Sequence, residues 1–260
     1  MTAGKLYAGE SRVFKNSWSA LADEGVVTTN WLSGSVKAWL GNDTGDVGVQ
    51  LKATGNTSVQ ASGEATLKAG NQLDYQNAKG AGVSYNRIGT SGMAGVLKGE
   101  MDDLLYANNQ TADPFMVSAL VRNGSVHVDG DLRVRADLKI SATSVVGLSS
   151  SELDSILAQN ASYARADARI VMPASSTVNH FVGGLLQVAA SDSTTALSKG
   201  SLSTGGAWSS AFLGARNEVN HRADALMDNV IVTTGGGVQV LANTTQSLTT
   251  NLSGKVDGFL

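Results

Sequence analysis

Apolar and polar residues alternate in two clear stretches. From Val126 to Ala136 the apolar positions are 126, 128, 132, 134 and 136, with Asp129-Gly130-Asp131 between the two halves. From Val230 to Ala242 they are 230, 232, 238, 240 and 242, around Gly235-Gly236-Gly237. A period of two with one apolar face is the pattern of a half-buried strand, and glycine permits the tight corner between halves. Val128, Val134, Val232, Val240 and Ala242 are therefore expected to face a core. Leu186-Gln-Val188-Ala-Ala190, Val49-Gln-Leu51-Lys-Ala53 and Ala65-Thr-Leu67-Lys-Ala69 repeat the second half.

These segments recur at a spacing. The closing alanines Ala136, Ala190 and Ala242 lie 54 and 52 residues apart, and the 67 residues from Ala69 to Ala136 leave room for an insertion. A second shared element precedes each: Val36-Lys-Ala-Trp-Leu-Gly, Val117-Ser-Ala-Leu-Val-Arg, Ala166-Asp-Ala-Arg-Ile-Val and Ala223-Asp-Ala-Leu-Met-Asp. The unit reads strand, turn, strand, Gly-rich turn, strand, then a stretch rich in Ser, Thr and Asn. One such unit cannot bury its own apolar face, so self-similarity of this kind predicts a solenoid. Short strands of Val, Leu, Ile and Ala with small polar turns suit an all-β, single-stranded parallel β-helix, in which small residues let neighbouring backbones approach. Two patches are expected to interrupt it as helical or loop insertions. Ser149–Gln159 has a Ser cap, an early Glu and Leu153, Ile156 and Leu157 at helical spacing, and Lys98–Tyr106 is a second candidate. No linker or shift of composition divides the chain, so residues 1–260 are read as one β-helix domain.

Composition narrows the class. Gly, Ser and Thr number 30, 29 and 20 of 260, while charged residues are only 16% and hydrophobic residues 42%. No apolar run is long enough to span a bilayer as a helix, so membrane insertion is not expected. A net charge of −3 leaves no basic face to neutralise a row of phosphates, so nucleic acid is not an expected partner. Cysteine is absent, which removes thiolate zinc sites, iron–sulfur clusters and Cys nucleophiles. Met1–Gly25 carries Lys5, Glu10, Arg12 and Lys15 without an apolar core segment, so it is not a secretory signal. The chain is read as an internal piece of a larger repeat protein.

Residues 215–242 carry a recognisable pattern. Asn217 stands ahead of a strand containing Ala223 and Ala225, followed by a polar turn at Asn229, Val230-Ile-Val232, Gly235-Gly236 and Val238-Gln-Val240-Leu-Ala242. This resembles the repeats of filamentous-haemagglutinin-type large bacterial exoproteins. The resemblance is best over 200–250, where Gly205-Gly206 and Phe212 also fit, extends over 117–145 and 160–200, and fades before residue 35. It departs from the pattern at 98–115 and 148–160, where extra residues are inserted. The resemblance implies a right-handed coil and a secreted or cell-surface location on a bacterium. It also implies a role in adhesion or as a stiff stalk, with a host or neighbouring cell surface, carbohydrate and adjacent repeats of the same chain as partners.

Candidate chemistry is sparse. His127 falls at an outward strand position, and His180 and His221 sit in polar contexts, with no second His at metal-ligand spacing. Asp129 and Asp131 flank Gly130 in a turn, where an aspartate ordinarily bonds nearby backbone, and Asp137 points outward. Asp102-Asp103 lie in an insertion. No Gly-x-Ser-x-Gly elbow occurs, and neither Ser33-Gly-Ser35 nor Ser91-Gly forms one. The glycines at 34, 41, 45 and 235–237 do not open a strand–helix phosphate loop. Trp18, Trp31, Trp39 and Trp208 are the residues of most interest: outward they would stack on sugars, inward they would fill the core. No catalytic, cofactor or metal residues are therefore assigned, and no cofactor is expected. The expected function is a non-catalytic structural or adhesive segment. The alternatives are a polysaccharide-active β-helix lyase or glycosidase, which needs carboxylates or basic residues converging on one groove, and a trimeric phage tail-spike or fibre domain, which needs an apolar lateral stripe.

Overall fold

The computed structural model describes residues 2–17, 24–32, 34–41, 49–75, 80–89, 114–150, 153–174, 177–206 and 210–258. All regular structure among them is β. Strands are numbered in chain order and fall into three parallel sheets. The first sheet runs β1 (Thr2–Ser17), β5 (Thr57–Tyr75), β9 (Leu132–Ser150), β12 (Leu186–Gly206) and β15 (Val238–Gly258). The second runs β2 (Glu24–Leu32), β6 (Gly80–Ile88), β10 (Leu153–Val171), β7 (Phe115–Arg122) and β3 (Ser35–Gly41), with β13 (Ser210–Asp228) along the other side of β10. The third runs β14 (Ile231–Thr234), β11 (Asn179–Val182), β8 (Gly124–Val128) and β4 (Val49–Ala53). The chain visits the sheets in the cyclic order first, second, third, and each strand pairs with its counterpart from the next pass.

The register bears out the alanine rows of the two repeats but moves Val49–Ala53, expected to repeat the second half, into the third sheet, where it pairs with Gly124–Val128 of the first half. Ala136, Ala190 and Ala242 are paired in one row, and Ala38, Ala119, Ala168 and Ala225 form another. The first-pass partner of Ala136 is Ala61 rather than Ala69, which pairs with Ser144. The step between those passes is therefore 75 residues, against 54 and 52 for the next two. The added length sits between β6 and β7. Ile88 pairs with Ser162 and Phe115 with Ala164, so two strands 27 residues apart line up on one uninterrupted partner.

The expected helix at Ser149–Gln159 is absent: β9 runs to Ser150 and β10 starts at Leu153. Nor is anything inserted there, since Ser150 and Leu153 pair with Thr204 and Ser210 of the following pass. Residues 156–162 of β10 are all buried, as are 83–89 beside them, so this part of the sheet is covered on both faces. A strand buried on both faces loses its alternation and shows apolar residues at spacings that mimic a helix. The other candidate, Lys98–Tyr106 with Asp102 and Asp103, lies outside the described residues.

One core joins the sheets. It contains Val36 and Ala38 of β3, Val117 and Ala119 of β7, Val126 and Val128 of β8, Leu132 to Ile140 of β9, Ala166 to Ile170 of β10 and Leu186 to Ala190 of β12. Alternation in β9 is unbroken from Leu132 to Ser149 and in β12 from Leu186 to Gly205. Val128 and Val134 are fully buried as expected, and Val232 is partly buried against the core. Val240 and Ala242 are exposed, contrary to expectation. Both keep the register of the buried Val188 and Ala190, but β15 is the edge of its sheet and, among the described residues, no strand pairs with its outer side. Ile231, Val238, Leu248 and Leu252 are about half exposed for the same reason.

Corners stack as tightly as strands. The Gly183 amide donates to the Val128 carbonyl at 2.7 Å and the Gly235 amide to the Val182 carbonyl at 3.0 Å. A Cβ on either glycine would lie 2.2 Å from a carbonyl oxygen of the pass below. Gly183→Ala is therefore expected to cost about 1–3 kcal/mol through forced backbone shifts. Gly55→Ala, where a Cβ meets nothing within 4 Å, should stay within about 0.5 kcal/mol of the parent. Urea unfolding of the two variants checks the contrast.

Candidate functional site

Three features stand apart from the apolar stack: an interior ladder, a buried polar cluster and an outer-face groove. The ladder is built from Asn30, Asn86, Asn160 and Asn217, which occupy paired positions of β2, β6, β10 and β13. Each side-chain amide donates to the carbonyl oxygen of the next, at 2.9, 2.9 and 2.8 Å. Each also donates to a main-chain carbonyl of the first sheet, on Lys68, Thr143, Leu197 and Thr249 in turn. Ser144 and Ser198 bridge the second and third of the three steps. An amide carries two donor hydrogens beside its acceptor oxygen, so asparagine can both continue the column and reach a main-chain carbonyl, which ties the second sheet to the first. Distances of 56 to 74 residues between rungs keep the ladder out of sight in the sequence.

At the third corner, side chains also bridge passes. Asn56 Oδ1 accepts from the Asp131 amide and Asp131 Oδ1 from the Leu185 amide, both at 2.9 Å. Asp131 thus caps the next pass rather than its own turn. Asp137 points outward as expected and accepts from Arg135, Gln60 and Ser191. Asp129 lies 3.7 Å from His127, whose exposed ring stacks on Phe181 with centroids 4.6 Å apart.

The other two histidines are not in open polar surroundings. His180 is 2% exposed, and neither ring nitrogen has a hydrogen-bond partner. By register it occupies an interior column between Val126 and Val232, where an aliphatic residue would fit. Burial lowers its pKa from the ordinary value. A histidine held neutral contributes its stability in full above about pH 6.5 and loses it as pH falls toward the lowered value. His180→Leu should therefore flatten the decline of melting temperature between pH 7 and 5 and raise the pH 5 value. An unchanged slope would contradict this placement. Asp224 acts at lower pH. Burial disfavours its charge, but hydrogen bonds from Arg165 at 2.6 Å and Arg222 at 2.6 Å outweigh that and hold its carboxyl below the usual range.

His221 belongs to the buried cluster. Its Nε2 lies 2.5 Å from Ser162 Oγ, and its Nδ1 is 3.0 Å from Asp192 Oδ1 and 2.7 Å from Thr194 Oγ1. With Nδ1 protonated toward Asp192, Nε2 accepts from Ser162, which is the connectivity of a hydrolytic Ser–His–Asp triad. Access is missing, however: the His221 and Asp192 side chains are 0% exposed and Ser162 is 2% exposed. A substrate carbonyl must come within about 3 Å of the serine oxygen, and in this packing it would have to displace the core. The cluster pairs polar groups at inward positions that one pass earlier are Leu138, Ile140 and Ala164, and leaves Asp192 Oδ2 buried without a hydrogen-bond partner.

The groove lies on the outer face of the second sheet, where β3 forms the edge. Val36 and Ala38 point into the core, so Lys37 and Trp39 point out, and Trp39 is 39% exposed. Beside them Met116, Ser118, Leu120 and Arg122 of β7 complete a shallow depression of about 240 Å³. Trp39 pairs with Leu120 and Lys37 with Ser118, while Arg122 lies beyond Leu120, opposite Gly41. No acidic side chain lines the depression among the described residues. Further along this face the arginines are held by acids: Arg169 by Asp167, and Arg165 and Arg222 by Asp224. Of the other tryptophans, Trp31 lies in β2, and Trp18 and Trp208 fall outside the described residues. No three His, Asp or Glu side chains among the described residues converge on one point. A comparison with family models, curated proteins and solved structures finds no match.

Proposed function

We propose that the three sheets are the faces of one right-handed single-stranded parallel β-helix, serving as a non-catalytic structural or adhesive segment of a larger secreted or cell-surface bacterial exoprotein. Its work is mechanical: it holds an attachment surface at a fixed distance through stacked layers rather than through turnover. The observation that supports this best is register. The same rows of alanine and the asparagine ladder repeat pass after pass, and the corner Gly183-Gly184 recurs as Gly235-Gly236, so each added pass lengthens the stack in one register. Parallel strands joined by crossovers on one side are right-handed in nearly all folds, which supports the hand. The outward positions of the first sheet, rich in Ser, Thr and Gln and mixed in charge, suit contact with another surface.

Two experiments test it. Antibodies against the chain should label unpermeabilised cells of the source organism, and beads coated with the chain should be retained on a cell monolayer above uncoated beads. Labelling only after permeabilisation would overturn the location, and equal bead retention would overturn the adhesive role.

A further inference from the structure

We propose that the last pass of one copy docks on the first pass of a second, in the register that joins passes within the chain, so that copies add head to tail. The inference rests on the stacked-coil reading of the fold and goes beyond the stalk role. A stalk can gain length from further repeats of one chain or from copies laid end to end, and the two ends of this stack fit the second. Both ends are open edges. Among the described residues, β1 to β4 pair only with strands of the following pass, and β13, β14 and β15 only with strands of the preceding one. Unpaired strand edges invite further strands. The hydrophobic residues that the main core covers only in part divide between these ends. Leu40, Leu51 and Ala53 stand at the first, and Ala225, Met227 and Val232 are among those at the last.

The asparagine ladder gives the contact its direction. Asn86 and Asn160 each donate to a main-chain carbonyl, to a serine hydroxyl and to the next asparagine. Asn217 keeps the first two kinds of contact, to the Thr249 carbonyl and Thr250 Oγ1, and among the described residues has no asparagine beyond it to take its amide. At the other end Asn30 donates to Asn86 and to the Lys68 carbonyl, while its own Oδ1 receives no asparagine amide. One end of the ladder therefore offers a donor and the other an acceptor, and a second copy in register adds one further step of the same kind. Two last passes set face to face would oppose donor to donor.

Neighbouring rows agree. Carried through β10, β7 and β3, the row of Ala225 meets Ala38 of the second copy, that of Met227 meets Leu40, and that of Asp224 meets Lys37. Leu226, 40% exposed, meets Trp39, 39% exposed. In the third sheet Val232 meets Leu51. In the first, β1 sets Ala3 beside Ala242 and Gly9 beside Leu248, and its lysines Lys5 and Lys15 fall beside Thr244 and Gly254, positions without a large apolar side chain. Because the two ends differ, the contact does not close on itself, and copies can add without limit.

Sedimentation velocity of the whole chain should show species that grow with concentration through dimer and trimer to larger forms. Leu226→Asp should raise the concentration needed for half-association about ten-fold or more, with the melting temperature of the dilute protein unchanged. Asn217→Asp, which sets a carboxylate against the Asn30 oxygen of the second copy, should do likewise. Two singly substituted chains fix the register. Lys52→Cys and Thr233→Cys, mixed and mildly oxidised, should give a covalent dimer containing one of each, and neither should dimerise alone. Within one chain these residues are three strand spacings apart, about 14 Å, beyond the reach of a disulfide. The proposal is overturned if the parent stays monomeric at millimolar concentration, if growth stops at a dimer, if Leu226→Asp associates like the parent, or if Thr233→Cys cross-links to itself as readily as to Lys52→Cys. Cysteine pairs that bridge adjacent passes inside one chain test the stack itself, so failure of the docking and failure of the fold are distinguishable.

Discussion

Asn160→Ala is expected to destabilise the protein by about 3–5 kcal/mol, the largest effect of any single uncharged substitution in the ladder. Asn160 is 1% exposed and sits between two other rungs. Its oxygen accepts from Asn86 and Ser144, and its amide donates to the Leu197 carbonyl, Ser198 and Asn217. Alanine would strand the Leu197 carbonyl and the Asn86 amide in the interior, where water cannot replace the lost partner. Asn160→Asp should be worse than alanine, because a carboxylate would face the Leu197 carbonyl and the Asn217 oxygen with no proton to offer. Urea denaturation followed by circular dichroism gives both values. A cost below about 1 kcal/mol for alanine, the scale of a surface change, would mean that the ladder does not join the sheets.

Val134→Asp should cost roughly 3–5 kcal/mol, since it places an unpaired carboxylate in a fully buried apolar row. The same change at Val240 should cost under about 1 kcal/mol, although the two valines share one row through Val188. Val240 is 46% exposed at the sheet edge, and a carboxylate there keeps its water. The pair separates direction from burial: sequence alternation gives the first, and only position in the stack gives the second. Equal costs at both sites would show that the edge row is covered in solution.

How far the fold could be read in advance depended on which residues fill inward positions. Where they are Val, Leu and Ala, as in 126–136 and 186–190, alternation is plain and the strand rows follow from it. Beyond Ala190 the inward positions of β12 are Asp192, Thr194, Ala196, Ser198, Gly200, Leu202 and Thr204. Inside and outside are then both polar, so a strand of 21 residues looked like a Ser/Thr-rich stretch following a short one. In β10 the failure had the opposite cause: both faces are buried, and Leu153, Ile156 and Leu157 mimicked a helix. His180 looked polar from its neighbours in sequence, yet register puts it under aliphatic residues of other passes. The groove was half legible. Trp39 stands out in the sequence as one of four tryptophans, but its outward direction follows from Val36 and Ala38 facing the core, and its partners on β7 come from a strand some 80 positions away. Of the ladder only Asn217 carries a local signal, as the residue ahead of its strand, and the Ser162–His221–Asp192 cluster carries none, because each joins residues contributed by different passes.

The central claim is that three parallel sheets repeat in one register, pass upon pass, and the absence of cysteine allows a direct test with engineered pairs. Paired residues of adjacent strands fall within the roughly 4.4–6.8 Å between Cα atoms that a disulfide spans. We predict that Gln187→Cys with Gln239→Cys in the first sheet, Arg165→Cys with Arg222→Cys in the second, and Asn179→Cys with Ile231→Cys in the third each cross-link within one chain under mild oxidation. Gln187→Cys with Val240→Cys, one position out of register, should remain reduced. Cross-linking of the displaced pair as readily as the registered one, or failure of any one of the three sheets to cross-link, would contradict the account.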